Sequence, residues 1–86
     1  MDHVLDSIQE WLDVYLQSSY DDGNTTYEKL RKDEYNYENL KAIINAYNAI
    51  VPRAFNKEDA KRYRLTLKET YEIFLWEKEC EGKTNN

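Results

Sequence analysis

Two glycines and one proline are the only specialised turn residues in this 86-residue chain. That scarcity excludes a glycine-rich phosphate loop and points to a chain that is mostly helix. One cysteine, Cys80, rules out an intramolecular disulfide. One histidine, His3, beside one cysteine cannot make a zinc site, and it leaves a Ser or Cys nucleophile without a credible base. Asp21-Asp22-Gly23 fails as a calcium loop, because Gly23 at its sixth position puts Ser18, Tyr20 and Lys29 at the first, third and twelfth. Long apolar runs are missing too, since no stretch approaches the ~20 residues a membrane helix needs. The opening MDHVLDSIQEW has acids where a secretory signal has Lys or Arg. The expectation is a cytoplasmic protein with no catalytic site, cofactor, metal or membrane partner.

What is present is charge and tyrosine. Charged residues make up 34% of the chain, the net charge is −5, and there are 8 tyrosines. Tyr, Asn, Lys, Glu and Asp have AT-rich codons, so the composition suggests a low-GC bacterial or phage source, and host cytoplasm if phage-encoded. The length suits one helical domain over residues 1–81, followed by a disordered tail over 82–86. A chain this short buries only ~60% of the surface its unfolded form exposes.

Periodicity predicts an all-α, antiparallel up-down-up three-helix bundle with helices over about 3–20, 26–51 and 57–81. In the first, Asp2 is the expected N-cap, and Val4, Leu5, Ile8, Trp11, Leu12, Tyr15 and Leu16 form one broad apolar face. Asp21 to Asn24 should stop it, with Gly23 at positive φ. Thr25 and Glu28 have capping-box spacing at the start of the second helix. Its stripe is Tyr27, Leu30, Tyr37, Leu40, Ile44, Tyr47 and Val51. We expect one long helix ending at Val51, before Pro52. The alternative is a break near 33–36, where Asn36 offers a fresh cap. Asn56 should cap the third helix, with Phe55 and Ala60 at the staple positions and Gly82 as its C′ residue.

At about 100° per residue, Ala60, Tyr63, Leu67, Tyr71, Phe74 and Leu75 share the core face of the third helix. Leu65, Ile73, Trp76 and Cys80 fall near a line on the opposite face. A bundle buries one face per helix, so this second stripe is a candidate interface with a partner protein or a second copy. The competing reading is a core that wraps further round, or a kinked second helix that covers both faces.

Charge is segregated along the chain. Residues 1–27 carry six acids and no Lys or Arg, and Asp2, Asp6, Glu10 and Asp13 make an acidic face. Residues 53–68 carry a net +4, and Lys57, Lys61, Arg64 and Lys68 make a basic stripe. In an up-down-up bundle the two rows would lie side by side and pair, each pair contributing ~0–1 kcal/mol. Otherwise the basic stripe tracks phosphates, or the acidic row docks on a basic site of another protein.

The leading expectation is a small acidic, non-enzymatic protein-binding module. It would be an inhibitor or regulator of phage or mobile-element type that occludes a site on a partner protein. Immunity proteins and antitoxins are similar in size and charge, although no family motif is present. The first alternative is a nucleic-acid-binding regulator using the basic start of helix 3, against which stand the net charge and the sequence pI of about 4.8. The second is a self-associating structural or assembly protein.

Overall fold

Leu5, Leu12 and Leu16 recur along the first helix and are buried against the middle of the chain. They belong to α1 (Asp2–Asp21), followed by α2 (Tyr27–Lys32), α3 (Glu34–Ala54), α4 (Lys57–Tyr63) and α5 (Leu67–Thr84). This computed structural model describes residues 2–84, with side-chain surroundings for 3–81. Among the described residues all regular structure is helical, so the fold is an all-α bundle. No described helix is long and apolar enough to cross a membrane.

α1 and α3 form the main interface and run antiparallel. Leu5, near the start of α1, packs with Tyr47 and Val51 near the end of α3. Leu12 and Leu16 pack with Leu40, in the first half of α3, with Ile44 at its middle, and with Leu30 and Tyr71. Each fully buried aliphatic side chain contributes about 1.5–3 kcal/mol. Leu40, Ile44, Tyr47 and Val51 follow i, i+4, i+7 and i+11, a single row that covers one row of α1. The broad face expected on α1 is therefore not all core, and Val4 and Trp11 stand outside it.

A Schellman motif ends α1. The Gly23 N–H donates to the Tyr20 carbonyl at 3.0 Å and the Asn24 N–H to that of Ser19 at 3.2 Å, with Gly23 at φ +99°. The N-cap of α2 is Thr26 rather than Thr25: Thr26 Oγ1 accepts from the Lys29 N–H, whereas Thr25 Oγ1 accepts from Lys29 Nζ. α1 begins at Asp2 itself, and the cap expected from its side chain lies outside the described residues.

The three expected helices become five because side chains replace helical backbone bonds at two places. At Asp33 the chain leaves helical dihedrals (φ −91°, ψ 88°). Its Oδ1 accepts from the Asn36 N–H at 3.2 Å, so Asp33 closes α2 and caps α3, the role assigned to Asn36. In the second place Asn48 meets Leu65. Asn48 Nδ2 donates to the Leu65 carbonyl and Asn48 Oδ1 accepts from the Leu65 N–H, each at 2.8 Å. Arg64 is extended (ψ 134°), and Thr66 starts α5 by accepting from the Glu69 N–H. The predicted helix over 57–81 is thereby split into α4 and α5.

Two further boundaries move. α3 continues through Pro52 to Ala54, because burying Val51 outweighs the pre-proline bias, and the extended Phe55 then ends it. α5 continues through Gly82 to Thr84, since glycine permits a left-handed C′ but does not impose it. Of the expected disordered tail, 82–84 are helical backbone and 85–86 lie outside the described residues. Asn56 caps α4 as expected, accepting from the Asp59 N–H at 2.9 Å. Tyr63, expected in the core, is exposed at the end of α4, and its ring stacks on Phe55 at 4.4 Å.

A buried polar chain ties these pieces together. Tyr71 Oη donates to the Asn24 carbonyl at 2.6 Å, so its contact with Ser19 Oγ at 3.0 Å is one in which serine donates. Asn24 Nδ2 donates to Ser19 Oγ and Asp33 Oδ2. Asn36 Nδ2 donates to Asp33 Oδ2 at 2.7 Å and Asp22 Oδ2 at 2.9 Å. The chain joins the end of α1, the α2–α3 break and α5. Burial pushes the Tyr71 hydroxyl pKa up, partly offset by the Ser19 hydrogen bond. Hydrogen bonds from the Asn24 and Asn36 side chains, then from the Asn36 N–H, hold the Asp33 carboxyl below the usual aspartate range.

Tyr71→Phe leaves the Asn24 carbonyl unpaired, and urea unfolding should show a loss of about 1–3 kcal/mol. Asn48→Ala leaves both backbone groups of Leu65 without their partner and should cost a similar ~1–3 kcal/mol. Folding favours ionised Asp33, so its contribution is complete above the usual aspartate range and is lost as pH falls through about 4 towards the depressed folded value. Asp33→Asn should therefore destabilise the protein near neutrality. Its unfolding midpoint should converge on wild type in acid, and a gap that widens in acid would contradict the network.

Candidate functional site

α1 brings acid and exposed apolar surface together. Its amphipathic winding puts Leu5, Leu12, Leu16 and Ser19 inside and leaves Asp6, Glu10 and Asp13 outside, at i, i+4 and i+7. Asp2 lies on the same helix, with its side chain outside the described set. Val14, 63% exposed, stands next to Glu10, and Trp11, 61% exposed, lies further round the helix, away from Asp6 and Asp13. Trp11 stacks on Tyr15 with centroids 6.2 Å apart and planes 20° from parallel. Glu10, Trp11, Val14 and Tyr15 border one shallow hollow, so a carboxylate and an indole address the same surface.

The stripe expected on helix 3 does not hold together. Leu65 lies in the α4–α5 break, clamped by Asn48, half-buried and packed against both parts of the core. It leaves the candidate interface because the break turns it inward. Ile73 and Trp76 remain outward on α5, at 57% and 64% exposed, and Cys80 is half-buried. Ile73 borders the groove between α5 and the Leu12 and Leu16 side of α1. Trp76 borders a different hollow with Tyr20, Thr25 and Glu72. The two exposed apolar groups of α5 share its outward face, but each borders a different hollow.

The basic stripe also divides. Lys57, Lys61 and Arg64 rim a hollow of about 300 Å³ whose floor is Val51, Pro52 and Ala60. Lys68 is exposed beyond the break and does not line it. The expected pairing between acidic and basic rows does not form. α4 packs on α3 rather than on α1, and among the described residues no ion pair joins the two rows. Among the described residues no three His, Cys, Asp or Glu side chains converge as metal ligands.

Compared with protein-family models, curated proteins and solved structures, the chain matches none. The site is therefore read from its own geometry. Sequence reasoning placed Trp11 in the core and passed over Val14. Their signal was the width of the α1 face, broader than a single partner row covers.

These placements predict opposite responses to substitution. Trp11→Lys and Trp76→Lys should each change stability by no more than about 0.5 kcal/mol. Leu65→Ala should cost about 1–2 kcal/mol, less than a fully buried leucine. Tryptophan emission should match water-exposed indole and be quenched by iodide. A blue-shifted, protected spectrum from dilute monomer would contradict the placement of both tryptophans.

Proposed function

We propose that this chain is a non-enzymatic protein-binding module whose α1 surface covers a basic site on a partner protein, making it an inhibitor or regulator. What supports this reading is an outward acidic row on α1, Asp6, Glu10 and Asp13, whose middle member Glu10 borders one hollow with the exposed Trp11 and Val14. Like charges in a row repel one another, and this row has no ion-pair partner within the described chain. A cationic partner surface relieves that repulsion and steers encounter. The rigid indole beside it supplies the kind of anchor on which binding energy concentrates. A surface that normally holds nucleic acid has the matching chemistry, so occupying it would displace the anionic chain. The α5 face with Ile73 and Trp76 is a secondary contact in this reading.

The test is competitive. With the wild-type chain as bait at moderate salt, a host extract should yield one stoichiometric partner with a basic surface. The triple variant Asp6→Lys/Glu10→Lys/Asp13→Lys should lose that partner, whereas Trp76→Ala should weaken capture only modestly. The purified partner's grip on nucleic acid should fall as the wild-type chain is added. No stoichiometric partner, or equal capture by the α1 triple variant, would remove the proposal.

A further inference from the structure

The acidic row and the basic hollow match each other more closely than two unrelated surface patches need to. Asp6, Glu10 and Asp13 are spaced i, i+4 and i+7, and Lys57, Lys61 and Arg64 repeat that spacing with the opposite sign. A helix rises about 1.5 Å per residue, so both rows set their charges at roughly 6 and 4.5 Å intervals. Arg64 caps α4, which ends at Tyr63, so it directly continues the line of the helix. Apolar groups adjoin both rows: Trp11 and Val14 share a hollow with Glu10, and exposed Pro52 and half-buried Ala60 line the hollow with the three bases. Within one chain no described ion pair joins the rows. The start of α1, which bears Asp6, and α4, through Ala60, both pack against the Tyr47 and Val51 end of α3.

We infer that a second copy of this chain occupies the basic hollow, its α1 row set against Lys57, Lys61 and Arg64, in a reciprocal two-fold dimer. In a two-fold dimer each row meets its complement on the other copy, so the contact is made twice and closes. The net charge of −5 opposes association at long range. That repulsion is screened over about 8 Å at physiological salt, while charges in contact still feel one another. The contact goes beyond the proposed partner binding and has a consequence for it: the dimer hides the α1 surface, so partner and second copy compete.

Light scattering and sedimentation across concentration test the inference on the intact chain. At physiological salt the mass should rise with concentration from 10.4 kDa towards twice that value, and high salt should reverse the rise. Asp6→Lys/Glu10→Lys/Asp13→Lys alone and Lys57→Glu/Lys61→Glu/Arg64→Glu alone should stay monomeric. Mixing the two in equal amounts should restore the dimer. Should either triple variant lose its helical circular dichroism, Glu10→Lys and Lys61→Glu carry the same test. These sit at the middle of their rows, and each alone should weaken association about tenfold. Trp11 emission, isolated in a Trp76→Phe background, should become protected as the dimer forms. A wild-type chain monomeric at every concentration overturns the inference, as does a dimer indifferent to both reversals or a mixture that fails to pair. A monomer that instead binds single-stranded oligonucleotide through Lys57, Lys61 and Arg64 also overturns it and gives the hollow to nucleic acid. A monomer that still captures a basic partner overturns this inference alone.

Discussion

Asn24 holds the bundle in register. Its carbonyl receives the buried Tyr71 hydroxyl from α5, and its side-chain amide reaches Ser19 of α1 and Asp33 at the α2–α3 break. A polar group in this position must be paired, because an unpaired buried donor or acceptor loses its bonds to water without replacement. Among the described residues no buried side-chain nitrogen or oxygen is left without a partner. The aliphatic rows of α1 and α3 supply driving force but little directionality. The hydrogen-bonded chain fixes where α5 crosses them, since Tyr71 finds its acceptors in one arrangement.

Asn48 plays a similar part at the other end of α3. By pairing with both backbone groups of Leu65 it halts one helix and frees the chain to start another in a new direction. The surface depends on that turn. It draws Leu65 into the core, divides the expected stripe on the third helix, and gathers Lys57, Lys61 and Arg64 around the hollow beside Pro52. It also holds the basic row against α3, away from the acids of α1. The separation leaves two complementary rows that no ion pair among the described residues joins.

Much of this was legible from residue order. Gly23 and Asn56 act at the caps assigned to them, and Leu5, Leu12, Leu16, Leu40, Ile44 and Val51 occupy the core that their spacing implies. The acidic row was legible too, because acids at helical spacing on an amphipathic helix face away from its leucines. Trp11 was not. A bulky apolar residue at the edge of a stripe goes inward or outward according to the width of the facing row, which belongs to α3. Leu65 was hidden for a related reason. Helical periodicity runs unbroken from Lys57 to Glu81, and the group that interrupts it is a side chain 17 positions earlier.

The sequence by itself therefore determined the helical class, the segregation of charge and the main hydrophobic rows. These follow from local periodicity, composition and the near absence of turn residues. Tertiary structure alone decided where the helices break, which tryptophans face water, and that the acidic and basic rows stay apart. The physical reason is common to all three. Each depends on a polar or steric contact between residues far apart in the chain, and local spacing carries no information about which distant amide will replace a backbone hydrogen bond.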